Sequence, residues 1–341
     1  MKRETRQKKY VILAIALVAA PILLGIAAIG VGRYSIGVRE ILECLLPPLF
    51  PGADVDEVTS RVIFDIRLPR VLLAIIAGAG LAVAGAAFQG IFANPLATPD
   101  TLGVASGASF GAAFAILLGF GMMYIQLMAV VWGVIAVIVA VALISGSGGR
   151  GSTMMLILAG MVVGALFSAL LSIIKYVADP QDVLPSITYW LMGSLTDTTF
   201  SRLAAGAPMI IGGTLVIYLV RWRLNVMSLH EDEAKALGVN VKRVRVLVIA
   251  ACTMITAAVI AMCGQIGWIG LLIPHIARMI CGNDNRRVIP ACIGLGATFL
   301  LATDTVARSV SSAEIPVSIL TSIIGAPIFI ILLRKTGGVK S

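Results

Sequence analysis

The sequence predicts an all-α, polytopic membrane protein of about ten transmembrane helices, in a single domain that covers residues 1–341. Of the 341 residues, 59% are hydrophobic and only 13% are charged, about half the ~25% charged content of a typical soluble domain. A bilayer span takes ~20 apolar residues, so ten spans would use most of the apolar residues present. This composition excludes a disordered chain and argues against a soluble globule.

Stretches with almost no charge place the ten spans along the chain. Residues 101–149 and residues 246–283 are each long enough for two spans, and we expect turns near residues 119–126 and 264–267. Each of the other spans occupies a stretch of its own, namely residues 10–32, 71–99, 151–174, 203–220, 288–303 and 315–333. The first stretch exceeds the hydrophobic core of a signal peptide, which predicts a retained span.

The distribution of basic residues predicts the orientation of the chain. Both ends are basic, and ends on the same side require an even number of spans. With the N-terminus in the cytoplasm, 18 Lys and Arg residues fall inside and 8 fall outside. Cytoplasmic loops of membrane proteins carry such an excess. We therefore expect both termini in the cytoplasm, and we attribute the net charge of +9 to this sidedness rather than to nucleic-acid binding.

Small residues recur at every fourth position in several predicted spans. They are Gly103, Gly107, Gly111, Ala115 and Gly119, then Gly78, Ala82, Ala86 and Gly90, and also Gly160 and Gly164. A stripe of small residues lets helix backbones approach closely in lipid. The pattern therefore predicts a tightly packed helical body, and it does not identify a substrate path.

Few residues are suited to catalysis or metal binding. The five cysteines include no CxxC pair, and the chain has only two histidines, so no metal site and no directly bound cofactor are expected. Residues 146–151 match GxGxxG in spelling, but no strand precedes them, and Ser152 stands where a phosphate-binding loop needs lysine. No nucleophile, base and orienting group are recognisable together, so an enzyme is not expected.

The long cytoplasmic loop is predicted to contain a short helix over residues 229–237. Ser228 and Glu231 form a capping box at its start, and Gly238 suits the left-handed position that ends a helix. Acidic residues fill the first turn, where the helix dipole favours them. This helix is either a solvated connector or a docking site for a cytosolic protein.

Residues 94–96 (Asn-Pro-Leu) break a helix at the predicted inner face. A simple turn is one interpretation. A gate is the other, because non-helical backbone at membrane depth is tolerated only where protein or a water-filled cavity covers it.

Arginines on the predicted outer side also allow two interpretations. Arg67, Arg70 and Arg308 either anchor helix ends at the interface or receive acidic side chains of an external partner. Arg308 follows Asp304 by four residues, a spacing that suits a helical ion pair. On the inner side, we expect Arg278 to extend its side chain toward the membrane surface.

Taken in order, these motifs resemble those of the FecCD-like permeases of type II ABC importers, which take up iron-siderophores, haem and cobalamin. The resemblance extends over nearly the whole chain. Its motifs are residues 67–70 (RLPR), 89–99 (QGIFANPLATP), 102–107 (LGVASG), 190–194 (WLMGS), 236–239 (ALGV), 264–275 (GQIGWIGLLIPH), 304–308 (DTVAR), 314–316 (EIP) and 325–327 (GAP).

The resemblance implies an assembly in the lipid of the bacterial cytoplasmic (inner) membrane. Such permeases pair as a homodimer or a close heterodimer. Two ATP-binding subunits dock inside and use the ATP, and an extracytoplasmic substrate-binding protein docks outside. The ATPase contacts would come from Ser228, Leu229, Glu231, Ala236, Leu237, Gly238 and Val239. The binding-protein contacts would come from Arg67, Arg70 and Arg308.

The resemblance also implies a gate and a pathway. The cytoplasmic gate would consist of Asn94, Leu96, Ser152 and Thr153. The pathway would run between the fifth and tenth spans, with a lining that includes Met161, Phe167, Ser168 and Ser172. Met154 departs from the family pattern, because the cobalamin permeases have a small polar residue at that position, so the detail of the second gate differs.

The expected cargo is an iron-siderophore, the commonest cargo of the family, with haem and cobalamin as alternatives. The alternative function is an ion- or proton-coupled secondary transporter. Such transporters usually carry ionisable residues at mid-membrane. The predicted spans hold almost none away from their ends, which favours the importer permease.

Overall fold

The protein is all-helical in the computed structural model, which describes residues 2–32, 34–50, 55–145, 153–229, 231–310 and 314–336. In these residues we number fourteen α-helices: α1 (Lys2–Gly30), α2 (Val38–Leu45), α3 (Glu57–Arg61), α4 (Leu68–Phe92), α5 (Val104–Leu117), α6 (Met122–Ser145), α7 (Thr153–Val177), α8 (Val183–Leu191), α9 (Phe200–Val226), α10 (Glu231–Ala236), α11 (Val241–Cys263), α12 (Ile269–Cys281), α13 (Asn285–Val310) and α14 (Val317–Thr336).

Helices correspond to all ten predicted spans. Seven are long and apolar enough to cross a membrane, namely α1, α3 with α4, α6, α7, α9, α11 and α13. The shorter apolar helices α5, α12 and α14 supply the other three. A π-helical turn at Val62–Arg67 joins α3 to α4, so that Glu57–Phe92 is one continuous unit. The prediction of ten spans is therefore confirmed, as is the position of the turns between α5 and α6 and between α11 and α12.

The centre of the body is α4, in which every residue of 77–92 is buried. Gly78 packs against the backbone of Gly296 in α13, and Gly85 packs against the backbone of Gly270 in α12. A Cβ atom added to either α4 glycine would overlap those backbones. The small-residue stripe therefore packs helices against one another, as the sequence predicted.

The stripe of α5 has the same role toward α6. Gly107 packs against the backbone of Trp132, and Gly111 against the backbone of Met128. The last member differs, since Gly119 has no neighbour within 4 Å and a left-handed φ of 71°. Gly119 thus forms the turn after α5 and makes no helix contact.

The span that follows α4 is helical only in the part nearer the predicted outer side, where α5 forms. The sequence predicted a span over residues 71–99, but α4 ends at Phe92, where Ala93 takes a left-handed φ of 46°. The chain then returns into the body without helix until Pro99–Leu102, which forms one 3₁₀ turn before α5. Pro99 borders the same cavity as Leu81, a residue in the middle of α4. The restart of the chain therefore lies deep in the body and not at its inner surface.

A second span is helical through only its inner part. Residues 264–268 have no helix and lead from the end of α11 to α12. Gly270, near the start of α12, packs against Gly85 in the inner half of α4. With 13 residues, α12 is about 20 Å long, shorter than the ~30 Å hydrocarbon core of a bilayer. The sequence predicted breaks at residues 94–96 and 264–267, but an apolar run has the same composition in either conformation, so it did not reveal that α5 and α12 begin inside the body.

Candidate functional site

The short helix α10, predicted to lie on the cytoplasmic side, presents an apolar surface to its surroundings. Ala234 and Val239 are buried against the protein body, which fixes α10 in place. Leu229 and Leu237 are exposed, the latter to 62%, and Ala236 is exposed as well. Exposed leucines on a firmly attached element are typical of a docking surface rather than of a solvated connector.

The ends of α10 agree only in part with the sequence prediction. Gly238 has a left-handed φ of 75°, and its N–H donates to the Lys235 carbonyl oxygen over 2.9 Å, so it ends the helix as expected. The helix begins at Glu231 rather than at residue 229. Ser228 therefore lies outside it, and its hydroxyl donates to the Asn225 carbonyl oxygen over 2.7 Å. The capping role predicted for Ser228 is wrong for this reason.

Val239 also differs from its predicted role. It was expected among the ATPase contacts, but it is buried beneath α10 in the main hydrophobic core. It anchors the helix and does not offer a surface to a partner.

A polar cluster below α10 joins the inner ends of α9 and α13. The Asn225 side-chain nitrogen donates to the Asp284 carboxylate over 2.7 Å, and the Asn225 side-chain oxygen accepts from Asn285 N–H over 2.8 Å. The Asp284 carboxylate also accepts from Arg286 N–H over 2.9 Å. Burial alone would raise the pKa of Asp284, but these hydrogen bonds and the charges of Arg286 and Arg287 together lower it. Sequence reasoning missed this cluster, whose signal is the Asn-Asp-Asn run at 283–285.

The first half of the predicted gate is a hydrogen-bonded turn. The Asn94 side-chain oxygen accepts from Leu96 N–H over 2.9 Å, and Leu96 itself is exposed. On the other half, Thr153 is the first residue of α7. Ser152 and the glycine-rich run before it lie outside the described residues.

Three of the four predicted pathway residues share an exposed surface of α7. Met161, Ser168 and Ser172 are exposed. Phe167 is only 4% exposed and packs on Phe110, with ring centroids 5.6 Å apart, and on Trp132 at 6.0 Å. The prediction that Phe167 lines the pathway is wrong, because its ring holds α7 against α5 and α6.

The helix predicted to form the other wall, α14, has a similar apolar surface. Ile319, Ile323 and Ile330 are exposed on it, whereas Gly325 packs against Trp268. Both helices therefore attach to the body along one side and leave a broad apolar side uncovered.

The three outer arginines converge on a buried ionic cluster. Arg70 donates to the Asp304 carboxylate over 2.8 Å and to the Glu314 carboxylate over 3.0 Å. Arg308 lies 4.0 Å from Asp304, so the expected helical pair is present but longer than the pair with Arg70. Arg67 donates to the carbonyl oxygens of Ile29 and Tyr34, and Arg308 to that of Ala28.

Burial decides between the two interpretations of these arginines. Their exposed fractions are at most 8%, and Asp304 is fully buried. A guanidinium buried in this way has no surface to offer to an external carboxylate. The structure therefore favours the anchoring role over the predicted docking role, since the cluster ties the outer end of α1 to α4 and α13.

Arg278 likewise has a partner within the protein. Its guanidinium donates to the side-chain oxygen of Gln89, and the amide of Gln89 donates to the carbonyl oxygen of Gly270 over 3.3 Å. Arg278 thus joins α12 to α4 and does not simply extend to the membrane surface.

Comparisons with known proteins agree with this architecture. The profile of the FecCD transport family matches residues 18–335. The chain is 42% identical over 315 residues to the molybdate import system permease protein MolB of Haemophilus influenzae, covering 92% of this chain and 93% of that one. It is 34% identical over 322 residues to a probable iron chelatin transport system permease protein of Helicobacter pylori, covering 94% and 97%.

A solved structure shares the fold closely. It is described as an inward-facing conformation of a putative metal-chelate type ABC transporter. The TM-score is 0.85 at 39% sequence identity, and the match covers 95% of this chain and 99% of that one.

The matched length and the ten-span architecture define the role of the chain. As a permease subunit it crosses the membrane several times and binds no cofactor itself. ATP hydrolysis takes place in a separate subunit of the same complex, which also includes a substrate-binding protein. The alternative of an ion-coupled secondary transporter is thereby excluded. The chain belongs to the FecCD transport family and is the permease subunit of an ABC importer.

Proposed function

We propose that the chain imports a metal chelate, with an iron-siderophore as the principal candidate, across the bacterial cytoplasmic membrane. Two permease subunits form the pathway, and two ATP-binding subunits drive it from the cytoplasm, where both termini lie. The observation that carries this proposal is α10, which is fixed to the body by Ala234 and Val239 and presents Leu229 and Leu237 outward.

The uncovered sides of α7 and α14 support a paired permease. Met161, Leu158 and Leu166 are exposed on α7, and Ile323 and Ile330 on α14. An apolar side can face lipid, but Ser168 and Ser172 on the same side of α7 suit a partly wet boundary better. We place the second permease subunit and the pathway at these two helices.

Oxyanion import is the second candidate function, because the relative that is 42% identical is named for molybdate. Uptake into proteoliposomes distinguishes siderophore import from molybdate import. The vesicles carry the assembled importer, with the binding protein outside and ATP inside. We expect ATP-dependent uptake of a radiolabelled ferric siderophore and no saturable uptake of radiolabelled molybdate. Saturable molybdate uptake without siderophore uptake would replace the proposed cargo.

A further inference from the structure

A cavity of about 190 Å³ lies where the two interrupted spans meet. It is bordered by Leu81 of α4, Thr256 of α11, Trp268 and Leu271 at the start of α12, and Thr98 and Asp100 before α5. Trp268 adopts a left-handed φ of 71°, which is rare for a residue with a side chain. Transporters commonly bind their substrates where discontinuous helices meet near the bilayer midplane.

Asp100 gives this cavity its charge. The residue is exposed, although its neighbour Leu81 lies in the middle of the buried helix α4. Within the described part of the chain, Asp100 takes part in no ion pair. An exposed carboxylate at membrane depth must face water rather than lipid. We take the cavity to open to water on the side of Asp100.

Thr256 adds an unused hydrogen-bonding group. It is only 3% exposed, and its hydroxyl has no hydrogen-bond partner among the described residues. A buried hydroxyl without a partner is unfavourable. Thr256 borders the cavity, but its hydroxyl oxygen has almost no accessible surface, so contact with a bound molecule requires a small shift of the cavity wall.

Residues at or near the cavity contact both α7 and α14. Gly103, which follows the Asp100 turn, packs against Gly164 of α7. Trp268 packs against Gly325 of α14, and its ring centroid lies 6.4 Å from that of Phe329. These are the two helices whose uncovered sides we assign to the pathway.

We propose that this cavity is a cargo-contact site midway along the pathway, at which the Asp100 carboxylate favours cationic and hydrogen-bond-donating surfaces and repels free oxyanions. The inference rests on the proposed function. The helices α5 and α12 both begin beside the cavity, and helix N-termini favour an anion. Asp100 supplies that anion itself, so its charge favours the neutral or cationic surface of a chelate that passes the cavity and disfavours molybdate.

Charge-selective thiol labelling tests the site without requiring transport. Thr98→Cys is introduced into a chain whose five natural cysteines are replaced, and the assembled complex is placed in lipid nanodiscs. The probes are cationic trimethylammonium-ethyl and anionic sulfonatoethyl methanethiosulfonate, each scaled to its rate with a free thiol. We expect the cationic reagent to label Thr98→Cys about ten times faster than the anionic one after this scaling, because the Asp100 carboxylate places a unit negative charge a few ångströms away. Adding Asp100→Asn should remove most of that preference.

Two results would overturn the site: absence of labelling by both reagents, or a preference that Asp100→Asn leaves unchanged. If the cysteine-free chain fails to assemble, the same comparison is made with natural cysteines present. The signal of the chain without Thr98→Cys is then subtracted, which is practicable because four of the five cysteines are buried.

A second comparison tests contact with the cargo. Thr253 is a matched control for Thr256, because it is 4% exposed on the same helix and its hydroxyl also lacks a partner, but it does not border the cavity. We expect Thr256→Val to lower ferric-siderophore uptake several-fold and Thr253→Val to leave it unchanged. Equal uptake by both variants would contradict the contact. The two tests can fail independently. If the complex shows charge-selective labelling but no ATP-driven uptake, the proposed function is refuted and the charged cavity is still supported.

Discussion

At the scale of single residues, the structure shows which apolar side chains are exposed and which are buried, a difference that the sequence did not reveal. Leu237 and Val239 are both apolar residues of one short motif, but Leu237 is exposed and Val239 is buried. Met161 and Phe167 likewise lie on one helix, with opposite exposure. Their burial depends on which helices lie beside them, and that information is absent from local sequence. The sequence therefore predicted the motifs correctly and the roles of their individual members less well.

Glycine packing gives a prediction at this scale. A Cβ atom on Gly85 would overlap the backbone of Gly270, and backbone cannot move aside as a side chain can. We expect Gly85→Ala to destabilise the protein by about 1–3 kcal/mol, the usual cost of overpacking. The measurement is the thermal unfolding midpoint of the detergent-solubilised permease.

Gly90→Ala is the control on the same helix. Its added Cβ atom would lie 3.6 Å from the Cβ atom of Leu224, an ordinary contact. The midpoint of Gly90→Ala should therefore stay close to that of the wild type. Equal midpoints for Gly85→Ala and Gly90→Ala would show that the contact between α4 and α12 is looser than described.

At the scale of elements, the charge-free stretches predicted all ten spans, because a bilayer excludes charge whatever the helix packing. The same rule does not show where a span stops being helical. The depth at which α5 and α12 begin was missed, and the segments before these helices border the Asp100 cavity. The short helix α10 was predicted from its turn chemistry, although its start was placed two residues early.

The docking role of α10 gives a prediction at this scale. Leu237→Asp places a charge on its exposed apolar surface without disturbing the buried Ala234 and Val239. We expect ATPase subunits to bind at least tenfold more weakly, since buried apolar anchors of an interface each contribute about 2 kcal/mol or more. Co-purification and ATPase titration on nanodisc-embedded permease measure the effect.

Leu49→Asp is the matched control, because Leu49 is similarly exposed but lies on the opposite predicted side of the membrane. It should leave ATPase binding at the wild-type level. Unchanged binding in Leu237→Asp, with normal membrane insertion, would remove α10 from the docking interface.

At the scale of the whole molecule, partners are predicted to attach where the apolar body carries its few charged and exposed features. The 13% charged residues gather at the inner loops, at α10 and in the buried outer cluster. That outer cluster, around Arg70 and Asp304, ties helices together, whereas α10 carries exposed leucines at which we propose that the ATPase docks.

The central claim is that cytosolic ATP hydrolysis drives import through this chain, and uptake by the reconstituted complex tests it most directly. The permease, its ATPase and its binding protein are placed in proteoliposomes, and uptake of radiolabelled ferric siderophore is followed with ATP or with a non-hydrolysable analogue inside, where the ATPase faces the lumen. We predict uptake with ATP only, unaffected by collapse of ion gradients. Equal uptake with the analogue, or uptake that ends when the gradients collapse, would contradict the account.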